Sequence, residues 1–242
     1  MRDKLKSEQY FRRVYQHYNS EFISRQNEYL EKIAQNNFGT WKPKTQSMLV
    51  AITYQRAFYS GYSLGLSKNE IGKDLIIFRD TVLRCGTADE IPYNWLYFLF
   101  SAFIIYGFSK EYVEPVIEFL TKEKYKDFVL DTMANFLKPS FEIRTEKLKF
   151  NKALNTVADA IKIAKVDKEM ATKKLKHYLD RQWLKLQKEG IIDNQDHLKD
   201  DAKFMVYLGY WSIESAALVI MLGLDDTSLK DCKYYPYDLV HG

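Results

Sequence analysis

Apolar residues recur every three or four positions along nearly the whole chain, which is the spacing of one face of an α-helix. In the first such segment, from about Ser7 to Gln35, the apolar residues are Phe11, Val14, Tyr15, Tyr18, Phe22, Tyr29 and Ile33. No stretch of strand length shows a convincing alternation of apolar and polar residues. The sequence therefore predicts an all-α fold, a compact domain of roughly eight to ten helices.

Local signals divide this pattern into separate helices. A second helix is predicted from about Thr45 to Leu64, and its expected buried face is Met48, Leu49, Ile52 and Tyr59. Ser67 and Glu70 have the spacing of a capping box, in which each side chain binds the backbone amide of the other residue. A third helix therefore begins here, with an inward face of Ile71, Leu75, Phe78 and Val82.

Two glycines mark helix ends in the C-terminal half. A long helix predicted from Asp167 to Glu189 is followed by Gly190, and a helix from Tyr210 to Leu222 is followed by Gly223. Glycine is favoured after the last helical residue because it adopts a left-handed backbone conformation without steric cost.

The segment CGTADEIP, residues 85–92, is the best candidate for a boundary within the chain. Glycine, small polar residues and proline interrupt the helical pattern there. We expect an N-terminal helical region at residues 1–88 and a C-terminal helical domain at residues 93–242.

The most apolar segment, from Trp95 to Phe108, has fourteen residues, fewer than the ~18 to 20 that a membrane-spanning helix needs. We expect it to form a helix that is buried on all sides. The first 25 residues carry charges throughout and contain no apolar signal segment. Cys85 and Cys232 have no CxxC or Cys/His spacing around them. These features predict a cytoplasmic protein with no membrane partner.

No catalytic or metal-binding motif is recognisable in the sequence. The histidines His17, His177, His197 and His241 form no pair at helical ligand spacing, and HExxH is absent. Phosphate-binding glycine loops and a GxSxG nucleophile motif are absent as well. Asp225 and Asp226 are adjacent, and we expect Asp226 or Thr227 to cap a short helical turn. The sequence thus predicts no enzyme, no catalytic residue, no metal site and no cofactor.

Charge is distributed unevenly along a chain whose net charge is +4. Residues 147–188 contain twelve Lys/Arg and four acids, whereas residues 189–242 contain ten acids and four lysines. The basic helices could follow a phosphate backbone, which leaves a helical nucleic-acid-binding protein as an alternative function. We favour the interpretation that these lysines occupy the solvent-facing side of amphipathic helices.

The C-terminal residues carry a longer and more specific pattern. It consists of GYWS at residues 209–212, ESAAL at 214–218, LGLDD at 222–226, SLKD at 228–231 and YYPYDLV at 234–240. With these motifs the chain resembles the PoNe immunity family (PoNi), bacterial proteins that neutralise polymorphic nuclease effector toxins. Weaker similarity continues upstream through WLYFLFSAFII, KKLKHYLDRQW, YFRRVYQHYN and AFYSGYSLG, while residues 191–205 match no part of the pattern.

The resemblance implies an all-helical, non-catalytic antitoxin of interbacterial competition that binds and occludes a cognate DNase of the PD-(D/E)xK type. Its partner is then a nuclease toxin, and no direct contact with nucleic acid is expected. The acids of the C-terminal segment would complement the basic cleft in which such an enzyme holds DNA. The predicted partner-binding residues are Trp211, Glu214, Asp225, Asp226, Asp231, Tyr234, Tyr235, Tyr237 and Asp238. Tyrosine rings are equally ordinary in a core and at an interface, so both roles stay open for the terminal tyrosines.

Overall fold

The computed structural model describes residues 1–35, 42–187 and 205–242, with side chains for all of these except residues 151–153 and 186–187. Every regular element among these residues is a helix, which confirms the all-α prediction. The α-helices are α1 (Glu8–Gln35), α2 (Pro43–Leu64), α3 (Lys68–Gly72), α4 (Leu75–Leu83), α5 (Tyr93–Tyr106), α6 (Lys110–Lys122), α7 (Phe128–Leu137), α8 (Asn151–Ile163), α9 (Lys168–His177), α10 (Leu184–Gln187), α11 (Ile213–Leu222) and α12 (Asp238–His241). A π-helical turn (Tyr178–Trp183) joins α9 to α10, and a 3-10 turn (Thr227–Leu229) follows α11.

The two long N-terminal helices, α1 and α2, pack against each other. The stripe expected on α1 is largely correct, since Phe11, Val14, Tyr18, Phe22 and Tyr29 are buried. Two members differ, because Tyr15 is half-buried and Ile33 is exposed.

The face predicted for α2 was wrong. Met48, Leu49, Ile52 and Tyr59 are half-buried, and the buried side chains are instead Ser47, Val50, Ala51, Tyr54, Ala57, Phe58 and Ser60. The serine hydroxyls in this buried face are hydrogen-bonded. Ser47 Oγ donates to Tyr29 Oη of α1 at 2.8 Å. Ser60 Oγ donates within its own helix to Arg56 O at 2.7 Å. Serine can therefore occupy a buried position of α2, although a prediction based only on apolar residues places it on the exposed face.

The capping box is confirmed. Ser67 Oγ accepts from Glu70 N at 3.3 Å, and Ser67 N donates to Glu70 Oε2 at 2.9 Å. The single helix expected after it is broken in two, as α3 and α4. All four residues of its predicted inward face are buried: Ile71, Leu75, Phe78 and Val82.

Residues 205–209 return to the N-terminal part of the chain. Tyr10 Oη donates to Tyr207 O at 2.9 Å, and Tyr207 Oη donates to Asp3 Oδ2 at 2.6 Å. The chain forms two compact units, which we call unit 1 (Met1–Ile91 and the described residues up to Gly209) and unit 2 (the described residues of Pro92–Asp193 and Tyr210–Gly242). Whether residues 1–88 and 93–242 are domains that fold on their own stays a prediction.

In unit 2, α5 packs against α7 and α11 and forms the centre of the core. Twelve of its fourteen residues are buried, and so are the first seven residues of α11. Gly223 ends α11 with φ of 59°, the left-handed conformation predicted for it. None of the helices described here is both long enough and apolar enough to cross a membrane.

Two buried carboxylates of unit 2 hold the connection between α7 and α8. Asp127 caps α7, and its second oxygen accepts from Lys149 N at 2.8 Å. Asp131 is bound by Arg144, whose Nη2 donates to Asp131 Oδ1 at 2.5 Å and to Tyr125 O at 2.7 Å. The irregular residues between the helices are therefore fixed by charge-assisted hydrogen bonds.

The long helix predicted from Asp167 to Glu189 is observed as helical backbone without a break from Lys168 to Gln187. Asp167 caps its start by accepting from Met170 N at 2.8 Å, but the helix is not α-helical throughout, because α9 gives way to the π-helical turn after His177. The π-helical turn that follows carries Trp183 into the interior of unit 2. Gly190, the expected end of this helix, lies outside the described residues.

Candidate functional site

The nine residues predicted to bind a partner fall into a surface set and an interior set. Asp225, Asp231 and Asp238 are exposed and Tyr237 is half-exposed. The interior set consists of Trp211, Glu214, Asp226, Tyr234 and Tyr235. The interior side chains present little or no surface to a partner, since the most exposed of them, Trp211 and Tyr234, are each 9% exposed. Direct contact of any of the nine residues with a partner stays a prediction, and the surface set is the better placed for it.

Glu214 lies in the first turn of α11 and finds its hydrogen-bond partners inside unit 2. Trp183 Nε1 donates to Glu214 Oε1 at 2.5 Å, and Ser212 Oγ donates to the same oxygen at 2.8 Å. Burial raises the pKa of Glu214 in spite of these donors, because removal from water disfavours the charged form. The Trp183 ring packs against Tyr234, with ring centroids 5.0 Å apart. Glu214 and Tyr234 thus belong to the core.

The same core contains an unsatisfied hydroxyl. Tyr97 Oη is buried and has no hydrogen-bond partner among the described residues. Burial first, and then the nearby Tyr178 and Glu214, raise the pKa of Tyr97 well above its ordinary value. The hydroxyl therefore stays neutral, and its desolvation is not offset by a hydrogen bond.

Asp226 binds the last residues of the chain. Tyr235 Oη donates to Asp226 Oδ2 at 2.6 Å, and His241 Nε2 lies 2.9 Å from the same oxygen. The His241 ring stacks on Tyr237, with centroids 4.1 Å apart. We call these four residues, Asp226, Tyr235, Tyr237 and His241, the terminal clasp. It fixes the YYPYDLV segment to unit 2.

The neighbouring carboxylate of Asp225 has a different role. It accepts from the amide of Thr227 at 3.0 Å and from the Thr227 hydroxyl at 2.6 Å. These bonds, chiefly the one from the hydroxyl, lower the pKa of Asp225, so this exposed group is ionised at neutral pH. The expectation that Asp226 or Thr227 caps the turn was wrong, because the clasp already occupies the Asp226 carboxylate.

A cleft of about 620 Å³ lies between α9 and the turn that contains Asp225. Lys168, Thr172 and Lys176 line it from successive turns of α9. Lys168 Nζ donates to Gly223 O at 3.2 Å, and Thr172 Oγ1 donates to Asp225 O at 3.3 Å. These bonds connect α9 directly to the residues that follow α11.

Two exposed apolar side chains lie at the end of α9 that adjoins this cleft. Val166, in the turn between α8 and α9, is 86% exposed, and Met170 is 41% exposed. Neither residue was singled out from the sequence, where an apolar residue at helical spacing is interpreted as core. The available signal was the position of Val166 directly before Asp167, which caps α9 and so places Val166 between two helices.

The basic helices carry many local ion pairs. The pairs are Lys162–Glu146 at 2.8 Å, Lys173–Glu169 at 2.5 Å, Lys174–Asp159 at 3.4 Å and Lys176–Asp180 at 3.6 Å. Exposed pairs of this kind are individually weak. They nevertheless reduce the uncompensated positive charge available to phosphates, which supports the interpretation of these lysines as a solvated face.

Part of the acidic segment lies outside the described residues, namely Glu189, Asp193, Asp196, Asp200 and Asp201, together with His197. Where the structure is described, no group of three or more His, Cys, Asp or Glu side chains is placed to hold a metal ion. The described C-terminal acids are divided between the core and the surface, so their number alone does not define an acidic face.

Comparison with known proteins identifies the region that contains the cleft and most of the clasp. Residues 125–239 match the family of PoNe immunity proteins (PoNi), C-terminal. No curated protein and no solved structure gave a significant match. The matched region runs from just before α7 into α12 and includes all nine predicted partner-binding residues. The similarity covers a little under half of the chain and agrees with the resemblance that the C-terminal motifs carry.

Proposed function

We propose that this chain is the immunity protein of a cognate DNase toxin of the PD-(D/E)xK type and that it neutralises the toxin by occluding its DNA cleft. The family match of residues 125–239 carries the proposal. Stoichiometric protection requires an affinity near nanomolar, about −12 kcal/mol, over an interface of about 800 Å² on each partner. The protein then acts in the cytoplasm by binding and transforms no substrate.

The surface set supplies the charge for this contact. Asp225, Asp231 and Asp238 are exposed carboxylates that favour approach to a basic cleft and increase the association rate. Lys230 lies among them, with its Nζ 5.2 Å from the ring centroid of Tyr237. The described surface is thus mixed in charge, which suits contacts to one specific partner better than general imitation of DNA.

Protection in cells and inhibition in solution test the proposal. The probe is the product of the neighbouring open reading frame, which we expect to contain a nuclease-like domain. We expect cells that produce both proteins to survive, and an equimolar amount of this protein to stop DNA cleavage by the purified toxin. Death of these cells at the rate of unprotected cells would refute the immunity function.

Charge reversal tests the surface set separately. We expect Asp225→Lys, Asp231→Lys and Asp238→Lys together to slow association about tenfold or more and to reduce its dependence on salt. A matched control reverses three other exposed acids, Glu28, Glu111 and Glu142, and so changes the net charge equally. Unchanged inhibition and unchanged salt dependence in the first variant would exclude the surface set from the interface.

A further inference from the structure

The helical backbone from Lys168 to Gln187 carries two rows of residues at steps of four. The buried row packs into unit 2 and consists of Ala171, Leu175, Leu179 and Trp183. The exposed row is displaced from it by two positions and consists of Lys173, His177, Arg181 and Lys185. A displacement of two residues turns about 200° round an α-helix, so the exposed row lies on the side opposite the core. We call this exposed row the α9 ridge.

The π-helical turn keeps the α9 ridge aligned. In an α-helix of 3.6 residues per turn, a step of four residues passes a full circle, so a row with this spacing drifts sideways. The hydrogen bonds of a π turn span five residues, so the same step falls short of a full circle there and the drift reverses. Trp183 anchors the turn, because its Nε1 donates to the buried Glu214 at 2.5 Å. The ridge is therefore preformed, on a kind of turn that is frequent at functional sites.

Every member of the ridge has a basic side chain, and most of this charge is not neutralised. Within the described residues, Arg181 and Lys185 form no ion pair with a carboxylate. Lys173 is paired at 2.5 Å with a glutamate one turn earlier, but both side chains are exposed, and such pairs are weak. The neighbouring acid Asp180 lies 3.6 Å from Lys176, which is not part of the ridge. The ridge thus presents a row of available cations.

The regular spacing of these cations suits a polymer of regular negative charge. Residues four apart rise about 6 Å along a helix axis, and each strand of duplex DNA carries one phosphate per about 3.4 Å of its axis. A folded acidic protein presents its carboxylates in no such row. A lipid bilayer does not suit the ridge, because a helix on a membrane inserts its apolar face, and here Leu175, Leu179 and Trp183 are buried in unit 2.

We propose that the α9 ridge binds the phosphate backbone of duplex DNA, weakly and without sequence preference. Lys173, Arg181 and Lys185 supply about three phosphate contacts, and His177 adds a fourth when its imidazole is protonated. This contact requires no toxin. It therefore goes beyond the proposed immunity function and can be tested apart from it.

Fluorescence anisotropy of a labelled DNA duplex, titrated with the full-length protein at 50 and 200 mM salt, tests the ridge. Three contacts predict that the logarithm of the binding constant falls with the logarithm of the salt concentration with a slope of about −2.7. Binding should then be about 40-fold weaker at the higher salt concentration. We expect Arg181→Gln with Lys185→Gln to weaken binding at 50 mM salt about tenfold or more and to reduce the slope to about −0.9.

The matched control is Arg13→Gln with Lys110→Gln, which removes one exposed arginine and one exposed lysine from other helices. We expect the control to bind DNA within about threefold of the wild type, and both variants to keep the wild-type circular dichroism spectrum, since every substituted residue is exposed. Wild-type affinity and slope in the ridge variant would overturn the proposal. An equal loss in the control would also overturn it, because the effect would then follow from net charge alone.

Two results for the wild type would overturn the proposal as well. One is the absence of DNA binding at 50 mM salt. The other is binding to vesicles that contain phosphatidylserine without binding to DNA, which would assign the ridge to a membrane. Each of these outcomes leaves the immunity function standing, because no toxin enters the assay.

Discussion

The hydroxyl of Tyr235 donates a 2.6 Å hydrogen bond to the carboxylate of Asp226, nine residues earlier in the chain. His241 reaches the same carboxylate from α12. The most specific motif of the sequence, YYPYDLV, is therefore built into unit 2 through the terminal clasp. Tyr237 is the tyrosine of this segment that keeps part of its ring at the surface.

Removal of the Tyr235 hydroxyl tests the clasp. A hydrogen bond to a charged group contributes about 1.5–3 kcal/mol, and Asp226 is buried. We expect Tyr235→Phe to lower the free energy of unfolding in urea by an amount in this range. Tyr237→Phe is the matched control and should change it by less than about 0.5 kcal/mol. Equal effects of the two substitutions would contradict a specific role of the Tyr235 bond.

The buried carboxylate of Glu214 predicts a pH-dependent stability. Its pKa is raised by burial, so the unfolded chain ionises at a lower pH than the folded one. The contribution of Glu214 to the free energy of unfolding has its full value at pH values below about 4.3, the pKa of a glutamate in the unfolded chain. This contribution is lost as the pH rises through the higher pKa of Glu214 in the folded protein. Glu214→Gln cannot ionise. Relative to this variant, the wild type should therefore lose stability across that window, by about 1.4 kcal/mol per unit of pKa shift.

Urea unfolding of both proteins from pH 4 to pH 8 provides the measurement. Other groups titrate alike in the two proteins, so the difference between their unfolding free energies isolates Glu214. A difference that stays constant over the whole range would show that Glu214 has an ordinary pKa.

The Asp131–Arg144 pair predicts a large effect of removing one partner. Asp131 is buried, and Arg144 binds it through Nη2 at 2.5 Å and through its backbone amide at 2.9 Å. Arg144→Met leaves a buried carboxylate without its cation, which costs about 3–5 kcal/mol. We expect Asp131→Asn in the Arg144→Met background to recover part of this loss. The double variant is compared with Arg144→Met, and the difference between their free energies of unfolding is set against the effect of Asp131→Asn in the wild type. If the two differences are equal, Asp131 and Arg144 act independently, which would contradict the pairing.

Two tyrosines of α5 predict effects of opposite sign. Tyr97 Oη has no partner among the described residues, so Tyr97→Phe should raise the free energy of unfolding by about 1 kcal/mol. Tyr93 Oη donates to Asp127 Oδ1 at 3.0 Å, so Tyr93→Phe should lower it by about 1.5–3 kcal/mol. Thermal unfolding followed by circular dichroism measures both. A loss of stability in Tyr97→Phe would show that its hydroxyl is hydrogen-bonded.

Features of the fold that depend on residues close together in the sequence could be predicted from the sequence. The capping box of Ser67 and Glu70 and the glycine that ends α11 both follow from backbone groups at a helix end. The buried face of α2 could not be predicted, because Ser47 and Ser60 satisfy their hydroxyls locally and pack like small apolar residues. The π-helical turn was also missed, and its buried Trp183 is bound by Glu214, 31 residues away in the chain.

In the candidate site, too, the sequence predicts local features but not those that depend on contacts between distant residues. The sequence locates the acids of the C-terminal segment but not their exposure, which is opposite for the adjacent Asp225 and Asp226. That difference depends on Tyr235 and His241 reaching one carboxylate and not the other. Val166 was missed because its exposure results from the position of a turn, which depends on where α8 ends and α9 begins.

The bond between Asp3 and Tyr207 joins residues 204 positions apart within unit 1. During synthesis, the hydrogen bonds that Asp3 and Tyr10 form with Tyr207 cannot be made until the ribosome has translated the intervening residues of unit 2. A chain that terminates before Tyr207 would therefore lack the partner of both side chains.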